Sequence, residues 1–316
     1  MTMTTASPHK ATHSASARFD PAALLSIRNL ELRAKIVVQG FWSGLHRSPY
    51  HGFSVEFTEY RQYTPGDDPR YLDWRLFARS DRFYIKKFED ETNLRCLMVL
   101  DTSASMQFGS GGISKADYAR TLAASIGYFL HQQGDAVGLL SFDSQVRDYL
   151  PPRNRSAHLR HLFVTLQKDH KGSATSFSTP LSQVGRVFTK RGLLIVISDF
   201  LSPLEELGKG LGELAALGHE IILFQILDPK EIDFSFEKPA LFQDLEEPRN
   251  LFVDPVAASH NYLAKFAAHQ TSLEETCLAS GIARHLFRTD TALQSALHAL
   301  LRARSKNKTK RTRRNR

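Results

Sequence analysis

The stretch Asn93–Met106 reads NLRCLMVLDTSASM, and it decides the fold of the chain. Apolar residues crowd the segment from Leu94 to Leu100, which is too short for an ordinary helix and is bounded by polar residues. This pattern predicts a strand buried on both faces, as in a parallel sheet. Ligands bind outside the carboxyl ends of such strands. Asp101, Ser103 and Ser105, which follow the strand, therefore form a candidate site for Mg²⁺, which takes few carboxylates and keeps several waters.

The positive charge of the chain is concentrated at its C-terminal end. The formal charge is +8, and nine Lys or Arg residues, with no acid among them, lie between residues 301 and 316. Without these nine residues the formal charge is −1. Residues 305–316 are predicted to be a disordered basic tail. Such a tail could bind nucleic acid or an anionic membrane through phosphate contacts alone, and a solvated extension that does neither is an equally good interpretation.

Composition indicates a cytoplasmic protein with a hydrophobic core. Hydrophobic residues make up 42% of the chain, which is enough to bury a core. Two cysteines, Cys96 and Cys277, cannot make a disulfide framework, and a reducing compartment fits this usage. No apolar run approaches the ~20 residues that a membrane span needs, and the N-terminus lacks the apolar core of a secretory signal. We therefore expect a cytoplasmic protein without a transmembrane segment.

Predicted strands and helices alternate through most of the chain. Strands are predicted at 135–142, 192–199, 219–227 and 283–288, an antiparallel edge strand at 144–150 and a short hairpin within 242–254. Helices are predicted at 115–133, 156–167, 178–189, 204–217, 255–279 and 291–303. Alternation of buried strands with helices predicts an α/β fold with a doubly wound, mostly parallel sheet, over residues 93–304.

The residues before this domain have a different pattern. Residues 1–18 are rich in Thr, Ser, Ala and His and are predicted to be disordered. Apolar spacing predicts one helix from Pro21 to about Gly40, and alternation predicts strands at 53–60 and 83–88. Residues 19–92 are therefore interpreted as an N-terminal helix followed by a β-rich subdomain. Within it, Pro65–Trp74 reads PGDDPRYLDW, which we interpret as a turn stabilised by Asx bonds in preference to a second site.

Two later positions offer chemistry that matches the first site. Thr175 lies in a loop before a predicted helix, and Asp199 ends a second continuous apolar strand. Asp101, Thr175 and Asp199 should therefore lie at one edge of the sheet. Neighbouring hydroxyls compete with Thr175 for its role, and they belong to Ser173, Ser176 and Ser178.

The order DxSxS, a loop Thr and a strand-end Asp resembles the metal-ion-dependent adhesion site (MIDAS) of von Willebrand factor A-like domains. The preceding segment, from GLHRSPYHGF to RFYIKKFEDE, resembles the bacterial family called domain of unknown function 58, which places such a segment before its A-like domain. The resemblance spans most of the chain. The chain departs from the pattern at Phe200, where a Gly is frequent, and in the Gly-Ser-Ala before Thr175.

The resemblance implies a function for each site residue. Ser103 and Ser105 would bind Mg²⁺ or Mn²⁺ directly, Thr175 directly or through water, and Asp101 and Asp199 mainly through bound waters. An acidic residue of a partner protein would complete the site. Members of the family resemble partners of MoxR-type AAA+ ATPases. The implied function is a non-enzymatic protein–protein interaction, adaptor or assembly module.

Two alternatives remain open at this point. A metal-dependent hydrolase or phosphotransfer enzyme would use Asp101 as its nucleophile, although such enzymes usually carry a second carboxylate where this chain has Ser103. A structural scaffold would keep the fold with a vacant metal site. The glycines before Lys115 do not complete a P-loop, because the Gly-Lys-Ser/Thr ending is missing, and we interpret them as a flexible loop.

Overall fold

The computed structural model describes residues 20–46, 60–62, 77, 79, 83–86, 94–169, 172, 174–246 and 250–303. These residues fall into a larger unit, with residues 20–44 and 94–303, and a smaller unit within residues 45–93. The predicted disordered segment 1–18, the PGDDPRYLDW segment and the basic tail 305–316 lie outside the described residues.

The N-terminal region contains two helices, α1 (Pro21–Leu25) and α2 (Leu30–His46), which belong to the larger unit up to Gly44. The prediction of one helix from Pro21 to Gly40 was therefore wrong in two respects, because the helix is interrupted after Leu25 and the second part ends at His46. The break occurs because the side chain of Asn29 accepts a hydrogen bond from the Leu32 amide at 2.9 Å, which starts a new helix.

The smaller unit contains a short antiparallel pair, β1 (Tyr60–Gln62) and β2 (Tyr84–Lys86). The strand predicted at 83–88 agrees with β2 over its described residues. The strand predicted at 53–60 lies outside them except for Tyr60.

A six-stranded sheet forms the centre of the larger unit. Its strands are β3 (Arg95–Asp101), β4 (Ala136–Phe142), β5 (Val146–Arg153), β6 (Leu193–Ser198), β7 (Glu220–Leu227) and β10 (Ala283–Arg288), in the order β10–β7–β6–β3–β4–β5. All neighbours are parallel except β4 and β5. The sheet confirms the predicted fold class, a doubly wound, mostly parallel α/β sheet, including the antiparallel edge strand.

Helices cover the sheet on both faces. They are α3 (Lys115–Gln132), α4 (Ser156–Leu166), α5 (Ser178–Val187), α6 (Leu204–Ala216), α7 (Pro229–Asp233), α8 (Pro255–Ala279) and α9 (294–303). Leu97 and Val99 of β3 pack in one core cluster with residues of α5, α6 and α8. Met98 points to the opposite face, where its methyl group lies near Gly127 of α3. Apolar residues on both faces explain why β3 is a continuous apolar run without alternation.

Two further strands, β8 (Ala240–Gln243) and β9 (Asn250–Val253), form an antiparallel hairpin outside the central sheet. The hairpin predicted within 242–254 is therefore present and begins two residues earlier. Among the described residues, no helix has the length and apolar character needed to cross a membrane.

The edge strand β5 contains two consecutive prolines, Pro151 and Pro152, and its pairing with β4 is irregular. Gly138 of β4 lies opposite them, where an added Cβ would meet the Leu150 carbonyl oxygen at 2.6 Å and the Pro152 nitrogen at 2.8 Å. Only glycine leaves room for this close approach of two backbones.

Candidate metal centre

The carboxyl ends of β3 and β6 lie side by side at one edge of the sheet. Leu100 of β3 pairs with Ile197 of β6 in parallel register, so the residues that follow them are neighbours. Asp101 and Asp199 are 1% and 2% exposed, respectively. Two buried carboxylates at one sheet edge require positive charge or hydrogen-bond donors nearby.

The loop after β3 folds around the Asp101 carboxylate. One carboxylate oxygen accepts a hydrogen bond from the Ser103 amide at 2.8 Å, and the other accepts one from the Ser198 hydroxyl at 2.6 Å. The hydroxyl oxygens of Ser103 and Ser105 lie 3.1 Å apart. The first three predicted ligands therefore lie together at the end of β3.

Burial and the neighbouring carboxylate make the charged form of Asp101 unfavourable. Desolvation, followed by repulsion from Asp199, raises the pKa of Asp101 to about 7, although hydrogen bonds from Ser198 and Ser103 oppose the shift. A nearby cation would stabilise the charged form of a carboxyl group in this environment.

Asp199 forms a buried ion pair that was not predicted from the sequence. The ammonium of Lys115, at the start of α3, donates to Asp199 at 2.8 Å and to Glu231 of α7 at 2.6 Å. Lys115 is fully buried. Burial alone would lower the pKa of Lys115, but Asp199 and Glu231 raise it above the ordinary value. Burial raises the pKa of Glu231, and Lys115 opposes that shift.

The Thr175 loop lies against the loop that follows β3. A Cβ added to Gly172 would lie 2.3 Å from the Thr102 carbonyl oxygen and 2.5 Å from the Ala104 nitrogen, so only glycine permits this contact. The Thr175 hydroxyl and amide donate to the Glu246 carboxylate at 2.9 and 3.1 Å.

Phe200, which follows Asp199, has a left-handed backbone conformation with φ of 53°. Its side chain is buried and stacks on Phe177 with a ring-centroid separation of 5.6 Å. Its carbonyl oxygen lies 2.7 Å from Nε2 of His269, and the Asp199 carbonyl oxygen accepts from the side-chain amide of Gln225 at 2.8 Å. These contacts hold the loop in a conformation that glycine would adopt without strain.

A cavity of about 820 Å³ opens above this edge of the sheet. Ser105, Thr175 and Asp199 line it together with Glu231 and Glu246. Aromatic side chains line its other wall, and they belong to Phe108, Phe234, Phe236, Phe242 and Tyr262.

The structure thus brings Asp101, Ser103 and Ser105 into one loop and places Ser105, Thr175 and Asp199 on one cavity. Within the described residues no three His, Cys, Asp or Glu side chains group closely enough to hold a metal. A metal here would therefore depend on hydroxyl oxygens, which are ligands suited to Mg²⁺. Mg²⁺ at these five residues stays a prediction.

Four contributing residues were not predicted from the sequence, namely Lys115, Ser198, Glu231 and Glu246. Two of them carry a readable signal. Ser198 is the last residue of an apolar strand, and Glu231 forms a capping box with Asp228 directly after β7, the neighbour of β6. The rule that ligands bind at carboxyl ends of strands could have found both. Lys115 and Glu246 carry no comparable signal.

Comparisons with known proteins give relatives of similar length. The chain is 28% identical over 276 residues to the uncharacterized protein Rv1480 of Mycobacterium tuberculosis and to the uncharacterized protein Mb1516 of Mycobacterium bovis, and each alignment covers 86% of both chains.

Solved structures with a similar course of the chain include BatB from Bacteroides thetaiotaomicron, with 16% identity and a TM-score of 0.42 over 67% of this chain and 98% of that one. The SpRpn10 VWA domain has 10% identity and a TM-score of 0.39 over 65% of this chain and 94% of that one.

A family model described as "Protein of unknown function DUF58" matches residues 59–272, which is more than half of the chain. The match begins before the sheet domain and covers Asp101, Thr175 and Asp199. The chain therefore belongs to the DUF58 family.

Proposed function

We propose that this chain is a non-enzymatic, cytoplasmic adaptor or assembly module that uses Mg²⁺ or Mn²⁺ to bind an acidic side chain of a partner protein. The observation that carries the proposal is that hydroxyl and carboxylate oxygens from the loop after β3, the end of β6 and the Thr175 loop line one cavity. Family membership supports it, because the A-like domain that the sequence resembles serves recognition.

The ion would be held by the hydroxyls of Ser103, Ser105 and Thr175, with Asp101 and Asp199 acting through waters. It would supply a positive charge open to an anionic ligand. Part of this positive charge would stay uncompensated, because Lys115 neutralises part of the carboxylate charge at Asp199. An ion facing fewer uncompensated carboxylates keeps more attraction for a carboxylate from outside.

The environment of Asp101 argues against the enzyme alternative. A nucleophilic carboxylate must reach its substrate, whereas Asp101 is almost fully buried and both of its oxygens accept hydrogen bonds, from Ser103 and Ser198. We therefore infer that Asp101 organises its loop, with no part in phosphotransfer or hydrolysis.

A scaffold that functions without metal is the second candidate, and one observation favours it. The Lys115 ammonium offsets part of the charge of Asp199 and Glu231 without any metal. A site whose carboxylate charge is partly offset in this way can keep its fold while empty.

Metal titration separates the two candidates. For a metal-binding module, Mg²⁺ at one hundred times its dissociation constant should stabilise the fold by about 2.7 kcal/mol. Ser105→Ala should abolish most of this stabilisation, while Ser202→Ala, which removes a hydroxyl from the same cavity, should retain it. Absence of any response in the wild type would refute the metal-binding proposal and leave the scaffold.

The partner proposal needs its own measurement. We propose a MoxR-type AAA+ ATPase as partner, on the family resemblance alone. Binding of the purified ATPase from the same organism would be measured by biolayer interferometry, in Mg²⁺ and then in chelator. Binding that requires both Mg²⁺ and an intact Ser105 supports a metal-bridged contact. Equal binding by wild type and Ser105→Ala would place the contact elsewhere.

A further inference from the structure

The Glu246 carboxylate lies at the candidate metal centre although it comes from a distant part of the chain. Glu246 follows β8 and is 71 residues from Thr175, yet its two carboxylate oxygens accept from the amide and the hydroxyl of Thr175. A carboxylate therefore already contacts one of the predicted ligands.

The spacing of the oxygen atoms within each of two hydrogen-bonded pairs is compatible with neighbouring ligand positions on an ion. Mg²⁺ binds oxygen at about 2.0–2.1 Å in octahedral geometry, so neighbouring ligands lie about 2.9 Å apart. The Thr175 hydroxyl and the nearer Glu246 oxygen are 2.9 Å apart, and the hydroxyls of Ser103 and Ser105 are 3.1 Å apart. The Glu246 oxygen hydrogen-bonds to the Thr175 hydroxyl and is therefore close enough to share an ion with it.

We propose that Glu246 is an internal acidic ligand, which takes the position that a partner's carboxylate would occupy. This inference rests on the proposed function and adds its regulation and the chemistry of the partner. Leu245, next to Glu246, lines the same cavity and is half exposed. The partner segment therefore carries an acidic side chain beside an apolar one and displaces Leu245 and Glu246.

The hairpin that carries Glu246 is weakly held. β8 and β9 pair with each other and do not join the central sheet. An isolated two-stranded hairpin is at best marginally stable in water. Leu241, Leu251 and Phe252 are more than 60% exposed, while Phe242 packs on Phe236 with a centroid separation of 5.0 Å. Displacement of this hairpin therefore breaks few buried contacts.

The cavity contains cations that can pair with the Glu246 carboxylate and with the carboxylate of a partner. Lys230 and Lys265 line it along with the aromatic wall. Either lysine can pair with Glu246 after the hairpin moves, or with the side-chain carboxylate of an acidic partner. An acidic segment with an apolar neighbour matches both the cations and the aromatic side chains.

The test uses Mn²⁺ as the metal and a blocked dipeptide, N-acetyl-Leu-Glu-amide, as the probe. Glu246→Ala is compared with wild type and with Glu237→Ala, which removes an exposed acid from the residues just before the hairpin. Water-proton relaxation counts the exchangeable waters on bound Mn²⁺, and calorimetry measures binding of the dipeptide. N-acetyl-Leu-Gln-amide serves as the uncharged probe, and Glu246→Gln as a second variant that keeps the shape of the side chain.

We expect bound Mn²⁺ to gain about one exchangeable water in Glu246→Ala, and the dipeptide to bind that variant at least five-fold more tightly than wild type. A competing internal ligand lowers the apparent affinity for the dipeptide in proportion to the fraction of sites that it leaves open. Glu237→Ala should match the wild type in both measurements. An unchanged water count and unchanged dipeptide affinity would overturn the role of Glu246 while leaving the metal site intact. Failure of Mn²⁺ to bind the wild type would refute the proposed function itself.

Discussion

Replacing Lys115 with Met tests the buried ion pair beside Asp199. The substitution keeps the length of the side chain and removes its charge, leaving Asp199 and Glu231, which are 3% and 15% exposed in their side chains, without their cation. Removing one partner of a buried pair costs about 3–5 kcal/mol, because the remaining charge is buried and uncompensated. For a domain of this size each kcal/mol lowers Tm by about 2–4 °C. The expected fall is therefore about 6–20 °C.

Chemical denaturation and calorimetry without metal would measure this loss, with Lys209→Met, an exposed lysine of α6, as the control. Adding Asp199→Asn to Lys115→Met should recover part of the stability, because it removes one orphaned carboxylate, and coupling energies of such pairs are about 0.5–3 kcal/mol. Mg²⁺ should raise the Tm of Lys115→Met more than that of wild type, because the ion replaces the missing charge. A loss below about 1 kcal/mol, the value of an exposed pair, would refute the burial argument.

Three further predictions follow from single residues. Gly172→Ala should weaken Mn²⁺ binding at least ten-fold in calorimetry, because the new Cβ forces the Thr175 loop away from Thr102, while Gly111→Ala, which meets open space, should bind like wild type. Phe200→Gly should be about 1 kcal/mol more stable than Phe200→Ala in urea denaturation, because both lose the Phe177 stack but only glycine relieves the positive φ; the opposite order would contradict the left-handed conformation. Burial raises the pKa of the Tyr118 hydroxyl from 10.0 to about 12, so the folded state holds a proton that the unfolded state loses, and its contribution to stability should be present below pH 10 and disappear as the pH rises to 12. Tyr118→Phe should show a shallower loss of stability over this range, and equal slopes for both proteins would rule out this titration.

The strands at the centre of the sheet were predictable because burial on both faces leaves an unbroken apolar run. β6 and β7 are such runs, and their positions agree with the predicted strands within one or two residues. The N-terminal helix was harder to predict. Its apolar spacing continues across the break, and the residue that interrupts it, Asn29, acts through a local side-chain hydrogen bond that periodicity does not register.

The candidate site was predictable to the extent that its residues follow strands. Asp101 and Asp199 end apolar runs, and the fold brings such ends to one edge. Glu246 could not be placed, because a short hairpin between two helices carries no signal for the part of the domain it contacts. Lys115 was predicted to be the first residue of a helix, and only the tertiary structure turns its ammonium towards Asp199.

The prolines of β5 have a consequence for assembly. A proline has no amide hydrogen, so an edge strand with Pro151 and Pro152 presents an incomplete row of donors to any approaching strand. Neither a second copy of the chain nor an extended peptide can continue the sheet across this part of the edge with a full ladder. Addition of further strands to the sheet, including fibril-like stacking, is therefore disfavoured along this part of β5.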